Sequence, residues 1–356
     1  MESNGRRSRH GLRIAPLLSF VVATCAAFAV GAVAVTPVLA ATPTCVVRNM
    51  RSTATLRGSG VALKLSLTGA QAGDTLRIEG ICAGSFTLAR NVTLLGRATA
   101  LTPHATLDGN KSTRVLTIAS GVSANIRNLT ITDGYTISPG SAILNRGSLT
   151  LQGTSSVTHS VENRCWGGAI YNNGGTLVLE DSARVRANNG GAINNSGALT
   201  IDGTSSVSET VGCTPAVVNT GTAVMNGSAS VSHNQTGGIE NDPGATLTLN
   251  DLATIGSNTN QTSAGYPVSG GGGVANGGTV AMHDDSRVRG NWAYGLAGGG
   301  IANVGTVTMD GAAAISDNRS TMDGGGVSDS GTLSLSGTAP SMVTVPTFAI
   351  PPPARP

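Results

Sequence analysis

The 356 residues predict an all-β chain: a single-stranded, right-handed parallel β-helix, a three-sided solenoid of about 10–11 coils. Three observations lead there. Glycine fills 50 positions, while aromatic residues make up 3% and charged residues 12%. An all-helical domain would not tolerate so much Gly beside abundant Thr, Ser, Val and Asn. Val, Ile and Leu recur at regular spacing, which separates the chain from a disordered one of similar polarity. Finally, one unit recurs eight times from residue 141 onward.

Each unit opens with a small-residue pair, a β-branched or similar aliphatic residue, and Asn. An apolar-x-apolar strand follows, then a small turn and a small-x-Val/Ile strand. Gly167-Gly168-Ala169-Ile170-Tyr171-Asn172 leads to Leu177-Val178-Leu179 and Ala183-Arg184-Val185. Aligned, the polar position reads Asn145, Asn172, Asn195, Asn219, Asn241, Asn276, Asn303 and Asp329, at intervals of 27, 23, 24, 22, 35, 27 and 26 residues. A unit of 22–24 residues holds three short strands and their turns, one rung of the coil. Longer units add Gly, Ser, Asn and Thr, as in residues 259–270, expected to bulge outward as loops.

Alternation aims Leu199 and Ile201, or Val307 and Met309, inward, and leaves Thr150, Val178, Thr200, Val224, Thr248, Ala281, Thr308 and Ser334 facing out. Equivalent strands pair in parallel about 4.8 Å apart. A buried Asn in one column can hydrogen-bond its neighbours above and below, forming a structural ladder. A second ladder is expected at Asn188, Asn234, Asn258, Asn291 and Asn318, each three residues after Val or Ile. The hand follows from the rule for parallel crossovers.

The rest of the chain brackets this body. Residues 1–40 read as a signal peptide: Arg6, Arg7, Arg9 and Arg13 precede an apolar run from about Ile14 to Val35, with a cut expected at Ala41. Left uncut, the run is long enough to span a bilayer; no second apolar span follows. Cleavage removes four Arg and Glu2, so the formal charge of +3 falls to about zero. A basic balance is therefore no argument for nucleic acid. Residues 41–73 are expected to form an N-terminal cap, residues 74–338 the β-helix, and residues 339–356 a Pro-rich, disordered tail. Cys45, Cys82, Cys165 and Cys213 suggest two disulfides with three connectivities, of which Cys45–Cys82 and Cys165–Cys213 are favoured by proximity. The expected location is outside the cell or in its envelope.

At this point the motifs carry a resemblance. Gly73-Asp74-Thr75-Leu76, Asn91-Val92-Thr93-Leu94 and Leu129-Thr130-Ile131-Thr132 look like opening turns of secreted bacterial right-handed β-helix proteins of the pectate-lyase-like superfamily. The Gly-Gly-Ala-Ile units, with Val/Ile-x-x-Asn following, are similar to repeats of polymorphic outer-membrane proteins, which carry Phe before the Asn. Those proteins end in a membrane barrel, for which this chain has no room after residue 338. The resemblance spans about residues 73–338 and implies the fold. For function it implies a range: enzymes, adhesins and structural shafts.

Polysaccharide cleavage is the sharpest chemistry it raises. Lyases of this kind use an acidic calcium cluster and a basic residue; hydrolases use two or three carboxylates on adjacent rungs. The candidate acids are Glu180, Asp181, Asp202, Glu240, Asp242, Asp284, Asp285 and Asp310. Aligned on the repeat, Asp181, Asp202, Asn226, Asp284, Asp285 and Asp310 fall in the turn after the second strand, where Asp and Asn favour turn geometry, and Glu240 stands alone at its level. No catalytic residue or metal site is assigned, and no cofactor is expected; calcium enters only with the lyase alternative. His159 and His233 occupy similar turns after the third strand.

Binding candidates are weaker in pattern. Arg184 and Arg186, like Arg287 and Arg289, flank an inward Val and point outward, either toward an anionic glycan or as solvated charges that discourage sheet association. Trp166, Tyr171, Trp292 and Tyr294 could stack on sugar rings, with Trp292 and Tyr294 expected on a loop of residues 291–297. The expectation is an exported, non-catalytic, adhesin-like or structural protein. Its partner would be a cell-surface glycan or another envelope component. The alternative is a polysaccharide lyase or glycoside hydrolase.

Overall fold

A computed structural model describes residues 44–164, 167–261 and 270–336. Residues 1–40, Cys165, Trp166, most of the 259–270 insertion and the 339–356 tail, all subjects of sequence expectations, lie outside the described residues.

The described chain is a parallel β-solenoid of about nine turns. Three sheets run along it. One rung contributes Thr176–Leu179 to the first sheet, Arg184–Arg186 to the second and Ile193–Asn195 to the third. The first sheet has 13 strands and the other two have 10 each. Ten stacked strands enclose nine steps, so counting repeats and counting turns describe one ladder.

Register is uniform because each strand buries the same face. Leu149, Leu177, Leu199, Ala223, Leu247, Val280 and Val307 follow one another in the first sheet, all 3% exposed or less. A one-residue slip would turn this whole column to solvent. The outward positions are more sheltered than alternation alone implies: Thr150, Val178, Thr200, Val224, Thr248, Ala281 and Thr308 are half-buried. Neighbouring strands about 4.8 Å away shade their stems.

The predicted Asn ladder exists as a continuous chain of side-chain hydrogen bonds. Asn145 Nδ2 donates to Asn172 Oδ1 at 2.7 Å, and the pattern repeats through Asn195, Asn219, Asn241, Asn276 and Asn303 to Asp329, at 2.7–2.8 Å. Each Nδ2 also reaches a main-chain oxygen of the next rung; that of Asn219 donates to Thr246 O at 2.9 Å. All seven Asn are buried. Asp329 is the last member of the column among the described residues and supplies the acceptor that Asn303 needs. The second ladder is also formed: Asn234 Nδ2 to Asn258 Oδ1 at 2.8 Å, then Asn258 to Asn291 and Asn291 to Asn318 at 3.0 Å. Thr210 interrupts it between Asn188 and Asn234, and its main-chain N–H donates to Asn234 Oδ1. Glycine is required beside these amides: a Cβ on Gly300 would sit 2.5 Å from Gly326 O and 2.8 Å from Asn318 Nδ2.

The N-terminal end is closed differently. Cys45–Asn49 pairs antiparallel with Asp74–Glu79 and carries Thr55–Gly58 on its other edge, ending the parallel sheet. A helix, Gly60–Gly69, is capped by Ser59, which accepts from Val61 N, and buries Ala62 and Leu63. A Cys45–Cys82 disulfide joins the antiparallel strand to the first strand of the second sheet. Cys213 is also disulfide-bonded. Among the described residues no helix is long and apolar enough to cross a membrane.

Candidate binding face

The acids are best understood from backbone geometry. Two residues past the last inner aliphatic of the first-sheet strands from Ser148–Gln152 to Thr306–Met309 the chain enters the left-handed region: Asp181, Asp251 and Asp284 have φ of 60°, 56° and 56°, with Gly at 153, 203, 227 and 311. Gly and Asp tolerate that conformation best. The Asp carboxylates then bind the main chain of the preceding rung. Asp181 Oδ2 accepts from Gly153 N at 2.9 Å, Asp251 Oδ2 from Gly227 N at 2.8 Å, and Asp284 Oδ2 from Asp251 N at 3.0 Å. One position earlier, Gln152 bonds Glu180, Asn250 bonds Asn226, and His283 Nδ1 lies 2.9 Å from Asp310. The turn reading of Asp181, Asp284 and Asp310 is therefore what the geometry supports. His159 and His233 likewise share one left-handed turn position, at φ 52° and 58°.

Glu240 is not alone at its level, as the repeat alignment suggested. It lines a cleft of about 230 Å³ with Asp242, Pro243, Ala275, Ala302 and Val304. Burial raises the Asp242 carboxyl above its ordinary value. Glu240 and Asp242 are alternate residues where the third-sheet strand enters its turn, so period two already places them together; comparing each acid only with its equivalents on other rungs passed the pair over. Among the described residues no three His, Cys, Asp or Glu side chains gather as metal ligands.

Of the binding candidates, the structure unites some and separates others. Arg184 and Arg287 lie in one outward column of the second sheet, in the order Arg184, Ser206, Ser230, Thr254, Arg287. The parallel column reads Arg186, Ser208, Ser232, Gly256, Arg289. Two arginine pairs thus bracket three rungs of small residues. They stand four strand spacings apart, about 19 Å. All four Arg are exposed. Among the described residues, only Arg186 of the four has an ion pair, a loose 3.8 Å contact to Glu209.

Trp292 and Tyr294 belong to the same rung as Arg287 but turn onto the adjacent edge. The structure corrects their expected setting: Trp292–Tyr294 is a short strand, paired in parallel with Thr259–Gln261 and Arg319–Ser320. The corner peptides have main-chain partners above and below, so the segment extends. Ala293 points inward and is fully buried, which leaves Trp292 and Tyr294 40% and 49% exposed. Their rings meet edge to face, 5.7 Å between centroids. Arg319 follows Trp292 in register, a neighbour that spacing alone did not reveal. Tyr171 sits apart, half-buried on the third sheet between Leu144 and Asn194. Trp166 lies outside the described residues.

No family model matches the chain, and no curated protein or solved structure matches it. What the geometry defines is a class of architecture, the parallel β-solenoid with amide ladders at its corners. The resemblances to pectate-lyase-like and outer-membrane repeats rest on the motifs alone.

Proposed function

We propose that this protein is an exported, non-catalytic β-solenoid that serves as a stiff element contacting carbohydrate or another component of the cell surface. The observation that carries this reading is the division of labour among charged residues. Asp181, Asp251 and Asp284 are engaged with backbone N–H groups in the turns, whereas Arg184, Arg287 and Arg289 stand exposed on one flat face. Aromatic rings exposed on the neighbouring edge add stacking surface.

A second reading, glycoside cleavage, has one observation in its favour. Asp242 has a raised pKa in the cleft it shares with Glu240, the environment a proton-donating carboxyl needs. Incubating the exported protein with pectic, alginate and neutral polysaccharides, with and without calcium, separates the two. Retention without new reducing ends or unsaturated products is expected. Turnover abolished by Asp242→Asn would establish the second reading in its place.

A further inference from the structure

We infer that the face between the two arginine pairs binds a linear acidic polysaccharide lying along the solenoid axis, with its anionic groups seated at both ends of the strip. This inference rests on the carbohydrate-contacting reading above and names the ligand class and its orientation.

Four features of the face point to it. Arg184 and Arg186 are alternate residues of one strand, so their guanidinium groups leave the same face about 7 Å apart. Arg287 and Arg289 repeat that fork in the same register four rungs on. Guanidinium groups pair with carboxylate or sulfate through parallel N–H bonds. Every outward residue of the three intervening rungs is Ser, Thr or Gly, so nothing bulky blocks a chain that passes between the forks. Hydroxyls spaced by one strand each can donate to, and accept from, sugar hydroxyls.

The charge distribution argues against nucleic acid. Nucleic-acid affinity grows with the number of Lys and Arg contacts to phosphate, and this face offers four Arg, in two forks separated by three rungs whose hydroxyls suit sugars rather than phosphates. A chain with frequent hydroxyls and anionic groups of carboxylate or sulfate type fits both the forks and the gap. Trp292, just past the Arg287 fork in the same rung, would stack on a sugar ring at one end.

The geometry demands a length threshold. A disaccharide reaches one fork only; a chain long enough to cover about 19 Å engages both and gains by effective concentration. Titration calorimetry with size-graded oligouronides, matched sulfated oligosaccharides, neutral dextran fragments and single-stranded DNA tests this. Oligomers of about six or more sugars, long enough to span both forks, should bind about a hundredfold more tightly than disaccharides. The double variant Arg184→Ser/Arg186→Ser copies Ser206 and Ser208 of the next rung, so the fold is kept. It should reduce long oligomers to the affinity of short ones and leave the short ones bound at the other fork. The uronide and sulfate series together identify which anion is preferred.

Three results would overturn the inference. Affinity without a length step, or unchanged in the double variant, would remove the ligand from this face. Neutral glycans bound as well as acidic ones, with loss only in Trp292→Ala, would leave the carbohydrate reading standing and move its site to the aromatic edge. Tighter binding of DNA than of any glycan would replace both.

Discussion

The corner after the third sheet is built in two ways along one molecule. In the first coils the column holds Leu88 and Ile118, aliphatic and buried. From Asn145 onward it is an amide chain. The junction works because Asn145 Oδ1, which has no donor below it in Ile118, accepts from Gly147 N of its own rung at 3.2 Å. An aliphatic column is indifferent to its neighbours. An amide column is not, since each buried Nδ2 and Oδ1 needs its partner on the next rung. This explains why the repeats keep Asn at every step while the earlier coils drift.

The largest expected effect breaks that ladder in its middle. Asn219→Leu removes the acceptor of Asn195 Nδ2 and the donor to Asn241 Oδ1, both buried. Asn195 Nδ2 keeps Gly197 O and Thr222 O, but Asn241 Oδ1, Thr246 O and Gly221 N each lose a partner. At about 1–3 kcal/mol for each polar group stranded, the loss should reach roughly 3 kcal/mol. Asn145→Leu loses the bonds to Asn172, Thr176 O and Gly147 N but has no amide below it to deprive of an acceptor, and should cost about 1 kcal/mol less. Denaturant titration of the two variants checks the ordering. Equal losses would mean that the corner is held by packing, not by the amide chain.

Removing the Cys45–Cys82 bridge should cost about 3 kcal/mol, the range for a loop of this kind. The loss should be local. Hydrogen exchange is expected to quicken in Cys45–Asn49 and the Gly60–Gly69 helix and to stay slow in strands flanking Asn219. Even loosening along the whole stack would refute the idea of separately stabilised regions.

Acid should sharpen the same contrast. Asp74, at the N-terminal corner, accepts from Gln71 N at 2.9 Å and from Asn49 Nδ2 at 2.6 Å, and pairs with Arg51 Nε at 2.8 Å. The Gln71 hydrogen bond first, then Asn49 and the Arg51 charge, hold its carboxyl below the ordinary 3.8. A depressed folded-state pKa gives stability that is present above the unfolded value and lost as pH falls through the lower, folded one. Below pH 3.8 the cap should therefore loosen while the amide ladder, with nothing to titrate until Asp329, holds. Exchange measured at neutral pH and at about pH 3 distinguishes this from uniform acid unfolding.

Much of this was legible in the chain because the two signals that define a rung are local. Inner aliphatics alternate, and Asn recurs at one coil length. What escaped depends on tertiary context. Val61, Leu63, Leu65 and Leu67 alternate as in a strand, yet Ser59 caps a helix there. With the sheet edge already occupied by Cys45–Asn49, a helix covers the end of the core instead. The corner strand at Trp292–Tyr294 has one inward residue, Ala293, too short a pattern to register as period two. On the candidate face, the outward Arg pairs were visible one strand at a time. Their shared column depends on rungs of unequal length, with 33 residues from Thr254 to Arg287 against 24 from Ser230 to Thr254.

The smallest effect concerns strain common to both regions. Two residues past the inner aliphatic of each second-sheet strand from Leu129–Thr132 onward, the turn takes a left-handed residue: Asp133, His159, Ala187, Glu209, His233, Ser257, Gly290 and Asp317. Ala187, at φ 52°, has no polar side chain to offset the conformation. Left-handed geometry costs an L-residue roughly 1–2 kcal/mol, and glycine gives back part of the gain through its freer unfolded chain. Ala187→Gly should therefore stabilise by about 0.5 kcal/mol. The reverse change, Gly290→Ala, should destabilise by a similar amount for backbone reasons alone, since its Cβ would meet nothing closer than Ser257 Oγ at 3.7 Å. Opposite shifts in denaturation midpoint are the expected result. Shifts of the same sign would show that the turn is governed by contacts between rungs rather than by the torsion of a single residue.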